Sequence, residues 1–387
     1  MYKKNLVFAA ACLGMLLFGI AFLSLGTIMS FLTGKYQISG ETLGLLSAIL
    51  PAGILIGSLI FGPIVDKYGY KVLLIISSLL LVVAFEMIAF TNSFGFVLFA
   101  YFLIGLGGGS LNGGTNALVS VITAEGKGSN LSFLGVFFGI GAMGMPSILG
   151  LLSQAMSVSN IIAAVGLFIL LPTIYFLAVK FPKPIQQKGT KFFENLKLIK
   201  NPLVLILFGF VLFFESGLEG ITNNWSAAFL EKGKSIDVES SLYALTILNL
   251  GLLMTRLALG FMLKKIRPFV VQFVCMSLIL IGAVLLLISN SITLAYVGVA
   301  LLGIGFAPGF PVVLGYVGEM YAEVTDTAFS IAITIALVGN TLLNYLVGSL
   351  SIPYGIGVFP TIQIMSVALM SLIFWIVLGR TKSKIKI

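Results

Sequence analysis

The sequence predicts an all-α membrane protein in which twelve transmembrane helices form two pseudo-symmetric six-helix bundles. Hydrophobic residues make up 59% of the 387 residues and charged residues 9%, with a mean hydropathy of +1.15. Soluble globular domains do not have this composition. The chain also contains twelve long apolar stretches, and its two halves carry the same short motifs at one fixed spacing.

Each apolar stretch is long enough to be a transmembrane helix, because roughly 20 helical residues cross about 30 Å of hydrocarbon. We expect helices because a lipid-exposed strand edge would leave backbone groups unpaired. The predicted spans 1 to 6 cover residues 5–33, 40–65, 72–91, 95–123, 130–153 and 158–180. Spans 7 to 12 cover residues 203–230, 239–263, 268–289, 292–321, 324–350 and 355–379.

The repeated motifs lie 198 residues apart, which indicates a duplicated six-span unit. The matching pairs are Gly62 with Gly260, Lys67 with Lys265, Gly105 with Gly303, Gly107 with Gly305, and Ala124-Glu125 with Ala322-Glu323. We therefore predict a first bundle over residues 1–180, a linker over 181–202 and a second bundle over 203–387. A duplicated bundle carries its solute in a cavity near the membrane midplane, between the halves.

The basic residues predict the orientation in the membrane. The net charge is +9, and with a cytosolic amino terminus the inner loops and tails hold 18 of the 22 Lys and Arg, against three in the outer loops. The positive-inside rule then places both termini in the cytosol. We expect the membrane to be a plasma (inner) membrane. This distribution gives no indication of a nucleic-acid partner. The basic linker either lies on anionic lipid as an amphipathic helix or is a solvated tether.

The loop between spans 2 and 3 reads Gly62-Pro-Ile-Val-Asp66-Lys67-Tyr-Gly69-Tyr-Lys71. We expect Gly62 to allow close helix approach, Gly69 to turn the chain, and Lys67 and Lys71 to stay at the inner interface. Asp66 would end span 2 and complement the positive end of a neighbouring helix, an interaction that breaks when an inner gate opens. The pattern resembles the signature loop of the major facilitator superfamily, which implies that fold. A charged turn that merely obeys the positive-inside rule is the alternative.

The corresponding loop of the second half has Lys264 in place of an acid, and Arg256 lies inside span 8. Two interpretations of Arg256 are open. Its side chain either extends to the inner membrane surface or pairs with Glu319 or Glu323 at the inner end of span 10 as a cytosolic latch. We assign Arg256 and Glu319 to the candidate gate together with the loop residues.

Three carboxylates lie well inside spans, although an ionised acid at the bilayer centre costs at least about 2.5 kcal/mol. Glu86 is near the outer end of span 3, where water or a neighbouring helix is within reach. Glu215 and Glu219 lie four residues apart near the middle of span 7, on one face that Asn223 continues. Because two ionised acids so placed repel, we expect one to hold a proton at neutral pH. Glu219 is the first candidate for coupling and Glu215 the second; a permanent hydrogen bond to a neighbouring helix is the structural alternative.

Amide and aromatic side chains within the spans form the candidate substrate site. A single amide commonly cross-links helices in lipid, but this chain has more amides than that role needs. Amides and acids around aromatic surfaces suit a neutral polyhydroxylated solute. Trp225 is equally compatible with an anchor at the membrane surface. The candidate substrate-binding residues are Asn112, Asn116, Asn223, Asn224, Trp225, Asn249, Phe310, Asn340 and Asn344.

Glycine and proline are concentrated in spans 4 and 10. Span 4 is thin at Gly107 to Gly109, because glycine has no side chain. Span 10 is broken at the matching depth by Gly305, Pro308, Gly309 and Pro311. No Lys-Ser/Thr follows the glycine run, so it does not indicate a phosphate loop. Close packing and hinge flexibility explain these residues better. Broken helices at corresponding places of two halves also point to a binding site.

The stretch from Gly107 to Val119, continued by Asn130-Leu131 and Phe138 to Gly141, resembles spans 4 and 5 of the fucose/galactose/glucose permease family. Glu219 with Trp225 is similar to a span 7 pattern of related glucose transporters. This resemblance implies sugar and proton symport. Proton-coupled fucose permeases carry acids where this chain has Asn112 and Gly26. Their coupling residues therefore do not transfer, and Glu215 or Glu219 would have to take that role.

These observations predict a secondary transporter, not an enzyme, that moves a small neutral polar solute, a sugar, by alternating access with proton symport. A proton-driven drug or metabolite exporter of the same fold is the alternative, and a receptor or scaffold would have no use for the acid pair. The sequence has no nucleotide-binding G-x-x-x-x-G-K-(S/T) motif, which disfavours an ATP-driven pump. It also has no His, so proton chemistry would run on carboxylates. We expect a monomer in contact with membrane lipid, no cofactor, no metal site, and a proton or, alternatively, sodium as coupling ion.

Overall fold

The computed structural model describes residues 2–38, 40–123, 127–182, 199, 201–321 and 324–381. Most of the linker, the last six residues, and the repeated pairs Ala124-Glu125 and Ala322-Glu323 lie outside the described residues. The described part consists of helices and their connections, without a strand.

Six helices make up the first half of the chain. Helix α1 covers Lys4–Tyr36. Helices α2 and α3 are one helical stretch, Gly40–Phe90, divided at Gly69, where φ is 84° and ψ is 166°. They are followed by α4 (Phe94–Ile122), α5 (Lys127–Leu152) and α6 (Val158–Ala178).

The second half repeats this order. Helix α7 covers Pro202–Ala228 and ends in a π-helical turn, Phe229–Gly233. It is followed by α8 (Val238–Lys265), α9 (Pro268–Ile288), α10a (Ile292–Phe306), α10b (Gly309–Met320), α11 (Thr325–Tyr354) and α12 (Val358–Thr381). Within the described residues, twelve helices are long and apolar enough to cross a membrane, which confirms the predicted spans.

The interruption between α10a and α10b has a chemical cause. Pro308 and Pro311 have no N–H to donate to the carbonyls of Ile304 and Ala307. The Ala307 N–H donates to the Ile304 carbonyl instead, at 3.4 Å. The predicted break in span 10 is therefore confirmed. The matching expectation for span 4 is wrong, because α4 is continuous; glycine weakens a helix but keeps its N–H donor.

Glycines in α4 and α10a allow helix backbones to touch. A Cβ at Gly105 would overlap the carbonyl oxygen of Leu50 on α2, and a Cβ at Gly303 would overlap that of Leu248 on α8. Both partners of the first contact are 198 residues from their counterparts in the second. The sequence repeat is therefore also a repeat of helix contacts, and the predicted close packing of span 4 is confirmed.

The chain forms two compact units. The first comprises Met1–Lys188 with Asp237–Thr246, and the second comprises Gly189–Ile236 with Ile247–Ile387. The first turns of α8 belong to the first unit, where Gln154 Nε2 donates a hydrogen bond of 2.6 Å to Glu239 Oε2. The hydroxyls of Ser147 and Thr246 are 2.9 Å apart. Helix α8 thus contributes residues to both units.

Candidate functional site

The middle of α7 is a fully buried polar segment. Every residue from Glu215 to Ala228 is buried, including both acids and the amides Asn223 and Asn224. Gly220 permits this, because a Cβ there would meet the side-chain amide of Asn340 on α11, with Nδ2 at 2.6 Å. The helix can therefore carry several polar groups within the second unit while remaining closely packed.

Glu219 pairs with Arg256 of α8. The distance from Glu219 Oε2 to Arg256 Nη2 is 3.9 Å, with the arginine side chain 30% exposed and the glutamate side chain 10% exposed. The Nε of Arg256 has no hydrogen-bond partner among the described residues. A distance of 3.9 Å is too long for a hydrogen bond, so both groups keep bonding capacity. The latch interpretation predicts Glu319 or Glu323 as the partner of Arg256. Among the described residues Arg256 pairs with Glu219 of α7 and not with Glu319, and Glu323 lies outside them.

Glu215 has a different environment, although it is one helical turn away. Its side chain is 0% exposed, and neither carboxyl oxygen has a hydrogen-bond partner in the described part of the chain. The carboxyl group lies against Gly309, where it occupies the position that a Cβ would take. Gly309 is the first residue of α10b, so Glu215 contacts the point where α10 is interrupted.

The predicted amides of the second unit form two hydrogen-bonded chains. In the first, Asn249 Nδ2 of α8 donates to Asn223 Oδ1 at 2.9 Å, and Asn223 Nδ2 donates to the Glu219 carbonyl at 3.0 Å. This chain joins α8 to α7 beside the ion pair. Glu219 is thus linked to α8 through its side chain and through its backbone.

The second chain joins α7 to α11. Asn224 Nδ2 donates to Asn344 Oδ1 at 2.8 Å, and Asn344 Nδ2 donates to Asn340 Oδ1 at 3.0 Å. Asn340 Nδ2 in turn donates to the Ser216 carbonyl at 2.9 Å. Hydrogen bonds of this kind, made by side-chain amides, typically contribute about 0.6 kcal/mol each to the stability of a membrane helix bundle. In the described arrangement these residues cross-link helices.

The remaining candidate residues differ in exposure. Trp225 is 1% exposed and its indole N–H has no partner among the described residues, which disfavours the surface-anchor interpretation. Phe310 is half-buried in the first turn of α10b. In the first unit, Asn112 and Asn116 are half-buried, and Asn116 Nδ2 donates to Asn112 Oδ1 at 3.0 Å.

The gate residues follow the predicted loop geometry in part. Gly69 turns the chain with a positive φ, as expected. Lys71 Nζ donates to the Leu177 carbonyl at the end of α6 at 2.6 Å, and Lys67 lies 5.0 Å from the centre of the Tyr68 ring. The close helix approach expected at Gly62 is not found in the described structure, because a Cβ there would meet nothing within 4 Å. The Asp66 side chain lies outside the described residues, and Glu319 is exposed.

Sequence reasoning missed two buried glutamines of the second unit. Gln272 of α9 is 0% exposed, and neither polar atom of its side chain has a partner in the described part. Gln363 of α12 is also 0% exposed, and its Nε2 donates to Thr222 Oγ1 on α7 at 2.7 Å. The available signal was a lone amide in an otherwise apolar span, which must find a polar partner in the bundle.

Comparison with known proteins identifies a family. A model of the Major Facilitator Superfamily matches residues 11–343. The glucose/mannose transporter GlcP of Bacillus subtilis (strain 168) is 24% identical over 369 residues, which is 91% of this chain and 90% of that protein. The family match spans most of the chain and both predicted halves.

Two solved structures share the architecture over almost the full length. The nucleoside transporter NupG has a TM-score of 0.78 at 14% identity, covering 98% of this chain and 99% of that one. The xylose transporter XylE from E. coli has a TM-score of 0.76 at 14% identity, covering 97% of this chain and 99% of that one. At such low identity these two likenesses bear on the fold alone, and they confirm the predicted fold class.

Proposed function

Because this chain belongs to the Major Facilitator Superfamily, we propose that it is a secondary transporter that moves a neutral sugar by alternating access together with a proton. That it is a membrane transporter and not an enzyme follows from its relatives. The sugar is supported by the glucose/mannose transporter, which matches over nine-tenths of both chains. We further propose that it acts as a monomer in a plasma (inner) membrane, with both termini and the linker in the cytosol.

The observation that carries the proposal is the Glu219–Arg256 pair. Its opposite charges cancel, so a neutral solute is favoured over a charged one. The 3.9 Å separation and the free Nε of Arg256 leave donors and acceptors for sugar hydroxyls. Amide groups on both sides of α7 offer further bidentate contacts if they exchange partners when a solute binds. A purely lipophilic substrate, as expected for a drug exporter, would leave these groups unpaired.

Coupling is assigned to the same face of α7. Glu219 and Glu215 are both buried in the membrane-spanning part of the second unit, where a carboxyl group that gains or loses a proton changes its interactions strongly. The ion pair connects Glu219 to Arg256, whose free Nε is available for sugar hydroxyls. Among the described residues, the two carboxyl groups have no third acidic ligand beside them. They therefore support a proton best as the coupling ion, and sodium is the alternative. In the described residues no group of three or more His, Cys, Asp or Glu could hold a metal ion.

The loop of Gly62, Asp66, Lys67, Gly69 and Lys71 remains our proposal for a gate, with Arg256 and Glu319. Lys71 donates a hydrogen bond to the C-terminal end of α6, which supports a role for Lys71 in holding the ends of α3 and α6 together. Arg256 would connect this gate to the substrate through Glu219, because it is the gate residue that contacts the α7 site.

A ligand screen tests the substrate class. Purified protein is heated with glucose, mannose, xylose, uridine, neutral amino acids or a lipophilic cation, and the unfolding temperature is recorded. Since a ligand that binds the folded state stabilises it, we expect an increase with one or more hexoses. Stabilisation by the lipophilic cation alone would contradict the sugar assignment and favour the exporter. Stabilisation by uridine alone would favour a nucleoside transporter.

A further inference from the structure

Glu215 and Gln272 present four polar atoms that the described structure leaves without hydrogen bonds. Both side chains are 0% exposed. The atoms are both carboxyl oxygens of Glu215 and both the Oε1 and Nε2 of Gln272. Buried polar groups are almost always paired, so two such side chains in one unit indicate a site that accepts a ligand or an ion.

Contacts between α9 and α10 place Gln272 on the part of α9 that faces the break in α10. A Cβ at Gly282 of α9 would meet the Gly298 carbonyl at 2.6 Å, and a Cβ at Gly305 of α10a would meet the Cys275 carbonyl at 2.8 Å. From Gly298 to Gly305 the chain advances seven residues on α10, and the facing residue on α9 moves back by seven, from Gly282 to Cys275. The two helices are therefore antiparallel in this region. Gln272 lies between two residues of α9 that border this region: Cys275 is within electrostatic range of Glu215, and the Phe269 backbone is hydrogen-bonded to Tyr316 of α10b.

Gly309 is the residue that the Glu215 carboxyl contacts. Glu215 from α7 and Gln272 from α9 therefore approach the same turn of α10, at the interruption after Pro308. An amide and a carboxyl group that approach the same turn can share a hydrogen bond after side-chain rotation, with the amide as donor or acceptor. Neither side chain belongs to the amide chains around Glu219.

Among the described residues, few charged or titratable groups surround Glu215. They are Glu219 on its own helix, Arg256 on α8 and Cys275 on α9. Arg256 pairs with Glu219, and Tyr316 of α10b stacks on Phe208, about two turns along α7 from Glu215. The polar side chains of α11 and α12 that bond to α7 in the described part include Asn340, Asn344 and Gln363, all uncharged. No cation in the described part is paired with Glu215, so an ionised carboxylate there would be costly.

We propose that Glu215 and Gln272 form the proton-binding site of this transporter, separate from the Glu219–Arg256 pair. In the proton-loaded state, side-chain rotation would let the neutral carboxyl of Glu215 donate a hydrogen bond to Gln272 Oε1 at the break in α10. The inference rests on the proposed proton coupling. It gives the two acids separate roles: Glu215 binds the proton, and Glu219 positions Arg256 for substrate binding. Because the carboxyl touches the first residue of α10b, proton release would favour movement of that half-helix.

Infrared difference spectroscopy of the full chain in lipid tests this site without any substrate. A protonated carboxyl group gives a carbonyl-stretch band, and pH steps show which carboxyl produces it. The measurements are made with Glu86→Gln already in place, because Glu86 Oε1 is buried without a partner too. We expect the neutral-pH band to disappear with Glu215→Gln and to persist with Glu219→Gln. Gln272→Met should shift the band to higher frequency, because the carboxyl loses its hydrogen-bond partner.

A glycine pair supplies a second test should Glu215→Gln fail to fold. A Cβ at Gly309 would displace the Glu215 carboxyl, whereas a Cβ at Gly315 on the same half-helix would meet nothing within 4 Å. Gly309→Ala should therefore alter the band and Gly315→Ala should leave it unchanged. Equal spectra for both variants would overturn the site.

Three further outcomes would overturn the proposal: a band that survives Glu215→Gln, a band that vanishes with Glu219→Gln, or a band removed by sodium at constant pH, which would indicate a sodium site. The result is independent of the sugar assignment. A protein that shows the Glu215 band but binds no sugar would keep the proton site and refute the proposed substrate.

Discussion

At the scale of single residues, the two acids of α7 show how one turn of helix separates two environments. Glu219 faces Arg256 at 3.9 Å, whereas Glu215 lies against Gly309 with no exposed surface. An acid with a cation beside it is stabilised in the charged form, and an acid without one is destabilised in that form. Two carboxyl groups in such different surroundings can have different roles, one in binding the solute and one in binding the proton.

A double-mutant cycle on Arg256 and Glu219 tests the pair. Either Arg256→Gln or Glu219→Gln leaves one charge uncompensated in the second unit, so we expect each to weaken binding of the stabilising sugar by about tenfold, or about 1.4 kcal/mol. The double variant should lose clearly less than the sum, with a coupling of at least about 0.5 kcal/mol. Binding is measured by titration calorimetry of the purified protein. Strictly additive losses would show that the two residues act independently.

The partner of Arg256 also marks the limit of sequence reasoning at this scale. The positions of Glu215, Glu219 and Arg256 inside apolar spans were predictable, because charged residues in such spans are rare and need a reason. Which acid the arginine contacts depends on how α8 is rotated against α7, and one sequence does not contain that angle. Gln272 was missed for the same reason, since its significance comes from the Glu215 side chain on another helix.

At the scale of helices, glycine positions have opposite roles that the sequence repeat alone does not distinguish. Gly303 touches the Leu248 carbonyl, whereas Gly260 faces open space, although both have counterparts 198 residues earlier. The break in α10 was predictable because proline removes a donor. The open surroundings of Gly62 were not predictable, because they depend on the distance between helices.

Alanine substitutions test this distinction. Gly303→Ala should lower the unfolding free energy by about 1–3 kcal/mol, because the added methyl group forces α10a away from α8. Gly260→Ala should be neutral or slightly stabilising, since alanine is the better helix former. Thermal unfolding in detergent gives both values. A Gly303→Ala protein as stable as the parent would mean that the close α8–α10a contact does not exist.

The start of α8 gives a pH-dependent prediction. Asp237 Oδ1 accepts the Ser240 N–H at 2.8 Å, and this hydrogen bond holds the pKa of the Asp237 carboxyl below its usual range. A group with a lowered folded-state pKa stabilises the fold above its unfolded pKa, about 3.9. That stabilisation is lost as the pH falls through the folded value. Asp237→Ala should therefore cost about 1 kcal/mol at pH 7 and less at acid pH.

Asp237→Asn is the matched control, because asparagine caps a helix about as well but does not titrate. Melting temperatures of the three proteins between neutral pH and about pH 3 provide the comparison. The difference between the parent and Asp237→Asn should grow in favour of asparagine as the pH falls. A difference that does not change with pH would rule out the cap as its cause.

At the scale of the whole molecule, composition and repetition predicted most of the architecture. The twelve helices follow directly from twelve apolar stretches, because a lipid environment leaves few other structures possible. The repeat of the Gly105–Leu50 contact at Gly303–Leu248 shows that the duplication extends to packing. The contribution of the first turns of α8 to the first unit was not predictable from a boundary placed at the linker.

Cysteine labelling tests the orientation that the basic residues predict. Cys12 and Cys275 are buried, so a new surface cysteine dominates the reaction with a membrane-impermeant maleimide. Lys188→Cys in the linker should react after cell lysis but not in intact cells, because the positive-inside rule places it in the cytosol. Lys35→Cys, in the last turn of α1 at the end assigned to the outside, should react in intact cells. Labelling of Lys188→Cys from outside would invert the topology.

Uphill uptake measures the central claim most directly. Purified protein in sodium-free liposomes is given radiolabelled glucose at equal concentration on both sides and an inward proton gradient. We expect glucose to accumulate inside, and to do so no longer when the gradient is dissipated or when Glu215 is replaced by Gln. Exchange of labelled for unlabelled glucose should persist in Glu215→Gln, because exchange needs no net proton movement. Glucose exchange without proton-driven accumulation in the parent protein, or accumulation that requires sodium, would contradict proton-coupled sugar symport.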